Sequence, residues 1–240
     1  ASIAALITSL HDDKATVRRM AAYALGQISS QKAFSSLQNR LDVEDSVAVR
    51  KVLWESIGKC ITIDSIKIFE NQQITDSLEL EGFAWGIYRA AIRGVYNEET
   101  VRKSIELLYP ENSFETRFAA AQALSRMRNV SVDLYLDSLL GSALYDRSPF
   151  VRMASVSALR NSKDPKVLES LKGAISKDHD YRVRINAIRV LSAYDLIDIQ
   201  EVLFNGLDDV NTNVAITAAG VLGAKANEAI VKRLQNEVDS

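Results

Sequence analysis

The chain has little of what most enzymes and disulfide-built domains rely on. One cysteine, Cys60, in 240 residues excludes an intrachain disulfide framework and a cysteine-rich metal site. The two histidines, His11 and His179, fall in separate polar turns, and no His, Cys or carboxylate set recurs at metal-ligand spacing. No histidine lies near Cys60 in the order of the chain to serve as its base, so the thiol reads as packed rather than nucleophilic. No catalytic residue, metal or cofactor is therefore expected. Acid pairs such as Asp12-Asp13 and Asp208-Asp209 sit where a helix begins and read as caps.

Prolines (three) and glycines (ten) are few, which favours long helices over strands and tight turns. Gly82 and Gly86 form no phosphate loop; four residues apart in a helix, they permit close packing. A net charge of −2 gives no bulk attraction to nucleic acid or to a membrane surface. The longest charge-free run, Val210–Ala224, includes Asn211, Thr212, Asn213 and Thr217. A membrane span takes about 20 mostly apolar residues, so a buried helix is expected there instead. Ala1–Leu10 carries no basic flank and no cleavage signal. The cysteine count suits the cytoplasm, and export within a longer chain stays open.

What the chain does have is a repeat. Val17–Gly26 reads VRRMAAYALG, and its frame returns six times. The anchors are Arg18, Arg50, Glu81, Arg117, Arg152, Arg184 and Ala215, giving steps of 32, 31, 36, 35, 32 and 31 residues. Four and seven residues beyond each anchor stand apolar side chains, among them Ala22 and Leu25, Trp54 and Ile57, Ala121 and Leu124. That frame predicts burial for both Trp54 and Trp85. Before each anchored helix the spacing predicts another: Ile3–Leu10, Ala33–Leu41, Ile63–Phe69, Val101–Tyr109, Val132–Leu140, Val167–Ile175 and Ile199–Leu207. Turns rich in Asp, Asn and Ser separate the two helices of each unit, as helix caps require. Asn227–Val238 reads as one more first helix.

The pattern D-x-x-x-VR-x-x-A-x-x-AL-G, clearest in Asp13–Gly26 and in Arg117–Leu124 (RFAAAQAL), resembles the HEAT repeat. Within that family it is most similar to the short bacterial type called PBS-lyase HEAT-like, and the likeness covers essentially the whole chain. It implies an all-α fold, a right-handed α-α superhelix of about seven helical hairpins plus a terminal helix. Residues 1–240 then form a single array, a fragment of a longer protein. With helices spaced about 8–10 Å apart, seven hairpins make an arc of about 70 Å. The resemblance further implies a hydrogen-bonded ladder between units, built from turn acids and anchor arginines. Asp13, Arg18, Asp45, Arg50, Arg117, Arg152, Asp178 and Arg184 are its expected members.

For function the resemblance implies a non-enzymatic scaffold for protein–protein interaction. The outward stripe of the second helices, which in HEAT arcs faces the concave side, carries Arg19, Tyr23, Gln27, Lys51, Glu55, Arg89, Arg93, Gln122, Arg126, Arg160 and Arg189. Arginine and lysine dominate it although the chain is slightly acidic, so the expected partner is an acidic or extended protein segment. The aromatic run Phe83–Arg93 (FAWGIYRAAIR) is the least repeat-like stretch and a second place to look. No nucleic acid, membrane span or small-molecule substrate is expected. Three alternatives stay open: a HEAT-like bilin lyase, a HEAT-like DNA glycosylase, and a spacer for a peptidyl-prolyl isomerase domain elsewhere in a parent chain. The last rests on the similarity of RRMAAYALGQ and FAWGIYRAAIRG to bacterial arrays of that kind.

Overall fold

A computed structural model describes residues 2–162 and 164–238. Among these residues every regular element is helical. The first hairpin pairs α1 (Ile3–Ser9) with α2 (Ala15–Ile28), and the second pairs α3 (Gln31–Leu41) with α4 (Val47–Cys60). In the third, a 3-10 segment (Ile63–Phe69) replaces the first helix and leads to α5 (Ser77–Ile92). Then come α6 (Glu98–Glu106) with α7 (Phe114–Arg126), α8 (Leu136–Tyr145) with α9 (Pro149–Ala158), and α10 (Pro165–Lys177) with α11 (Tyr181–Leu191). The seventh hairpin joins α12 (Leu196–Leu207) to α13 (Thr212–Ala224), and α14 (Glu228–Val238) follows.

The helices start where capping chemistry lets them. Side chains of Ser2, Ser30, Asp76, Asn97, Ser113, Asp164, Asp180 and Asn211 each accept a backbone N–H of the following first turn. Asn97 and Thr100 form a reciprocal capping box, which moves the start of α6 three residues ahead of the expected Val101. The expected helix at Val132 opens instead with a 3-10 turn, Asp133–Tyr135, and becomes α-helical from Leu136.

Successive second helices pack closely along the array, α2 on α4, α4 on α5, α5 on α7, α7 on α9, α9 on α11 and α11 on α13. First helices touch one another only sparsely. A stack tight on one side and splayed on the other curves, so the second helices line its inner side. One apolar core runs between the layers from Leu10 to Ile230. The tightest step is α4 on α5. A methyl group on Gly58 would lie 2.0 Å from the carbonyl oxygen of Gly86, and one on Gly86 would lie 2.5 Å from that of Trp54.

This contact shifts the register of the third unit and overturns the expectation for its anchor. Glu79, not Glu81, is buried, followed at three, four, seven and eight residues by buried Gly82, Phe83, Gly86 and Ile87. Trp54 is buried with Phe69 and Phe83 around it, at ring separations of 5.9 and 5.1 Å. Trp85, two residues out of frame, is only half-buried and stands on the inner face.

At five of the six boundaries an anchor arginine crosses to a carboxylate of the next unit; between the third and fourth units Ser113 Oγ donates to Glu81 instead, at 2.9 Å. Arg18 Nη2 lies 2.7 Å from Glu44, Arg50 Nη2 2.7 Å from Glu79, Arg117 Nε 2.7 Å from Asp146, Arg152 Nε 2.8 Å from Asp178, and Arg184 Nη2 2.7 Å from Asp209. In the same motion Nη1 of each donates to carbonyls of its own inter-helix turn: Asp12 and Asp13 for Arg18, Leu41 and Glu44 for Arg50, Asn112 for Arg117, Asp146 for Arg152, Asp178 for Arg184. One expected member, Asp13, is thereby corrected, and Asp45 is joined by a stronger partner. Asp13 contributes only its backbone carbonyl, its side chain being exposed. Asp45 touches Arg18 at 3.2 Å but is 89% exposed, whereas the Glu44 side chain is fully buried and also receives Arg40. Glu44 rather than Asp45 holds this place because it stands two residues before Ser46, whose N–H one of its oxygens accepts, as Asp146 does for Ser148 and Asp178 for Asp180.

Candidate protein-interaction surface

The stripe expected on the second helices maps to the inner layer, but its members differ in how free they are. Arg19, Tyr23 and Gln27 of α2 are exposed, and Lys59 Nζ lies 5.6 Å from the Tyr23 ring centre. Lys51 is tied to Glu81 at 2.6 Å, and Glu55 sits between Lys59 at 3.1 Å and Arg89 at 2.9 Å. Burial raises the Glu55 carboxyl, but hydrogen bonds and charge from Lys59 and Arg89 outweigh it and hold the group below the usual carboxylate range. These five side chains therefore bridge α4 to α5 as much as they face outward. Gln122 is half-buried, while Arg126 and Arg189 are exposed.

Arg93 and Arg160 have a second occupation that the sequence did not reveal. Arg93 Nη1 donates to the carbonyls of Lys59 and Ile61 at the end of α4. Arg160 Nη2 donates to Ser125 in the last turn of α7, at 3.3 Å. Lys225 does the same for Tyr194, at 2.9 Å. In each case a cation at the end of one hairpin meets free carbonyls of the preceding one, where the helix dipole is negative.

Aromatic side chains join this surface in a continuous row. Tyr88 meets Trp85 at 5.3 Å between ring centres, Trp85 meets Phe118 at 6.0 Å, and Phe118 meets Phe150 at 6.1 Å. Phe114 stacks on Phe118 at 5.5 Å with the planes 8° apart. Arg182 closes the row with its guanidinium carbon 4.3 Å from the Phe150 ring centre, beside Tyr181. At the other end Arg89 lies over Trp85 and Tyr88. Phe114, Phe150 and Tyr181 are each about 40% exposed. A stripe read for its charges misses these residues. Yet Phe118 stands one residue after its anchor, and Phe114, Phe150 and Tyr181 two or three before theirs, which at 100° per residue is the same helix face.

Cys60 lies on the other side of this layer, fully buried, and burial pushes its thiol up to about 11. On the splayed outer layer a cleft of about 460 Å³ opens between α6 and α8, with Tyr109 and Tyr145 at its rim. No described helix is long and apolar enough to cross a membrane.

No curated protein sequence matches the chain. Among solved structures it is similar to the Escherichia coli protein YibA, at 18% identity and a TM-score of 0.62 over 100% of this chain and 88% of that one. Human deoxyhypusine hydroxylase in complex with glycerol also matches, at 20% identity and a TM-score of 0.44 over 93% of this chain and 84% of that one. The family model for HEAT repeats matches residues 1–65 and 105–192. With that match, the stacked helical hairpins and the arginine–carboxylate boundaries, the chain belongs to the HEAT-repeat family.

Proposed function

We propose that the chain is a non-enzymatic scaffold that holds an extended segment of a partner protein along the inner face of its second helices. The observation that carries this reading is the row Tyr88–Trp85–Phe118–Phe150–Arg182, which leaves large rings at the surface beside a core that has buried comparable groups. Aromatic residues and arginine are the side chains that dominate binding energy at protein interfaces. A curved face one helix wide per unit suits an extended segment that meets each hairpin in turn. Tyr23 and Arg89 extend the same face toward the N-terminal hairpins.

The test is site-specific photo-crosslinking in cells that make the protein. A photoreactive residue at Phe150 or Tyr181 is expected to yield discrete adducts with a partner, and one at Tyr145 on the outer layer is not. Adducts from Tyr145 alone would overturn the proposal. The same protein separates the enzymatic alternatives: absorbance change with a bilin marks a lyase, and salt-dependent DNA binding marks a glycosylase-type surface.

A further inference from the structure

Most arginines of this chain face a carboxylate, at the boundaries and on the helix surfaces. Arg126, Arg128 and Arg160 do not. All three are exposed, and no ion pair to a described acidic residue involves any of them. They are nevertheless held side by side. Arg160 donates to the Ser125 carbonyl at 3.3 Å and to that of Ser157 at 2.6 Å, which lays its guanidinium against the last turn of α7. Asn161 Nδ2 donates to the Met127 carbonyl at 2.7 Å, and the Tyr96 hydroxyl bonds both the N–H and the carbonyl of Arg128, at 2.9 and 3.1 Å. The backbone that carries Arg126 and Arg128 is thus pinned from both neighbouring units. Burial, and then the fields of Arg128 and Arg126, lower the affinity of Arg160 for its proton.

Three exposed arginines carried on or against one pinned stretch of backbone, with no ion pair to a described acidic residue, form a local positive charge that an anion relieves. We propose that Arg126, Arg128 and Arg160 receive a cluster of carboxylates from an acidic segment of the partner protein, at the junction of the fourth and fifth hairpins. This inference rests on the inner face being an interaction surface and names the chemistry of its occupant. Each guanidinium presents a planar fork that matches a carboxylate in bidentate fashion. The cluster is also short. Toward the N-terminus Arg93 is engaged with the end of α4, and toward the C-terminus Arg189 stands alone before Lys225, which is engaged with Tyr194. A nucleic acid strand would need a longer track of free cations to gain from counterion release. Two or three neighbouring Asp or Glu side chains fit the local charge.

The experiment uses the full chain and a fluorescein-labelled peptide with four consecutive glutamates between Gly-Ser flanks, read by anisotropy. A peptide with glutamines in place of the glutamates and a single-stranded oligonucleotide serve as comparisons. The glutamate peptide is expected to bind, the glutamine peptide not. Arg126→Gln with Arg128→Gln is expected to weaken binding about tenfold, and adding Arg160→Gln to weaken it further. Arg126 and Arg128 carry no side-chain bonds within the fold, so the double variant keeps the test valid where Arg160→Gln perturbs folding. Lys166→Gln, on α10 away from this face, is expected to change nothing. Unchanged binding by the double variant, or tighter binding to the oligonucleotide that is lost in it, overturns the inference. If crosslinking at Phe150 and Tyr181 succeeds while the peptide ignores the three arginines, the scaffold reading stands and this one fails. If the peptide needs them but no inner-face crosslink forms, the reverse holds.

Discussion

Arg117 Nε lies 2.7 Å from Asp146 Oδ2, with the two side chains 1% and 6% exposed. The backbone carbonyl of the same Asp146 accepts from Arg152, and its Oδ1 accepts the Ser148 N–H. One residue thus receives the preceding unit through its side chain and holds its own unit through its backbone.

Breaking that pair leaves a buried carboxylate without its cation. Arg117→Met is expected to cost about 3–5 kcal/mol of stability. Lys166→Met, which removes an exposed contact to Asp137, is expected to stay within about 0.5 kcal/mol. Urea unfolding followed by circular dichroism compares the two, and equal losses would contradict the boundary role of Arg117.

Close packing of α4 on α5 gives a second prediction. Gly58→Ala would place its methyl 2.0 Å from the Gly86 carbonyl oxygen, so the two backbones must part. A loss of at least about 2 kcal/mol is expected. Gly173→Ala in α10 meets nothing within 4 Å and is expected to gain about 0.5–1 kcal/mol from helix propensity alone. Thermal midpoints of the two variants should move in opposite directions.

Acid should weaken the first boundary. Burial raises the Glu44 carboxyl, but hydrogen bonds from Arg18, Arg40 and the Ser46 backbone prevail and bring it down to about 2. Its usual value is about 4.3, so the stabilisation is complete above that pH and is lost as pH falls toward 2, worth about 3 kcal/mol in all. Glu44→Gln is expected to lower stability at pH 7 and to flatten its fall between pH 4.5 and 2, roughly the window those two values define. A parallel fall in both proteins would assign the acid sensitivity elsewhere.

Cys60 offers a probe of opening. Its sulfur is fully buried, 3.8 Å from the Leu25 carbonyl, with the thiol raised to about 11. Ellman's reagent is expected to react with the native protein only as fast as the first and second hairpins separate, and at once in urea. Rapid labelling of the native protein would show that this layer is open.

The fold was legible because its signals are periodic: an anchor arginine and apolar residues four and seven positions beyond it survive in most units. It misled where two units meet most closely. Glu79 and Glu81 are both acids near the right place, and only the contact of Gly82 and Gly86 with the α4 backbone decides which is buried. Between Glu44 and Asp45 the spacing does decide: Glu44 stands six residues before Arg50, as Asp146 does before Arg152 and Asp178 before Arg184. Of the proposed binding face, the charged positions, Tyr23 and the aromatic run Phe83–Arg93 were legible. Its aromatic row draws on residues before and after the anchors, and these touch only once neighbouring units are stacked.

The double duty of Asp146 recurs at Asp178, whose carboxylate takes Arg152 and whose carbonyl takes Arg184. Residues 147–178 therefore begin and end on the same bonding pattern and are interchangeable as a block. A gene in which that block is copied in tandem encodes a longer array whose new junction repeats an existing one. The third unit has no such freedom: its acid sits inside the helix, its partner helix is a 3-10 segment, and its glycines fit only α4. Lengthening by duplication is open to the C-terminal half of the array, and the N-terminal half inherits its length as a whole.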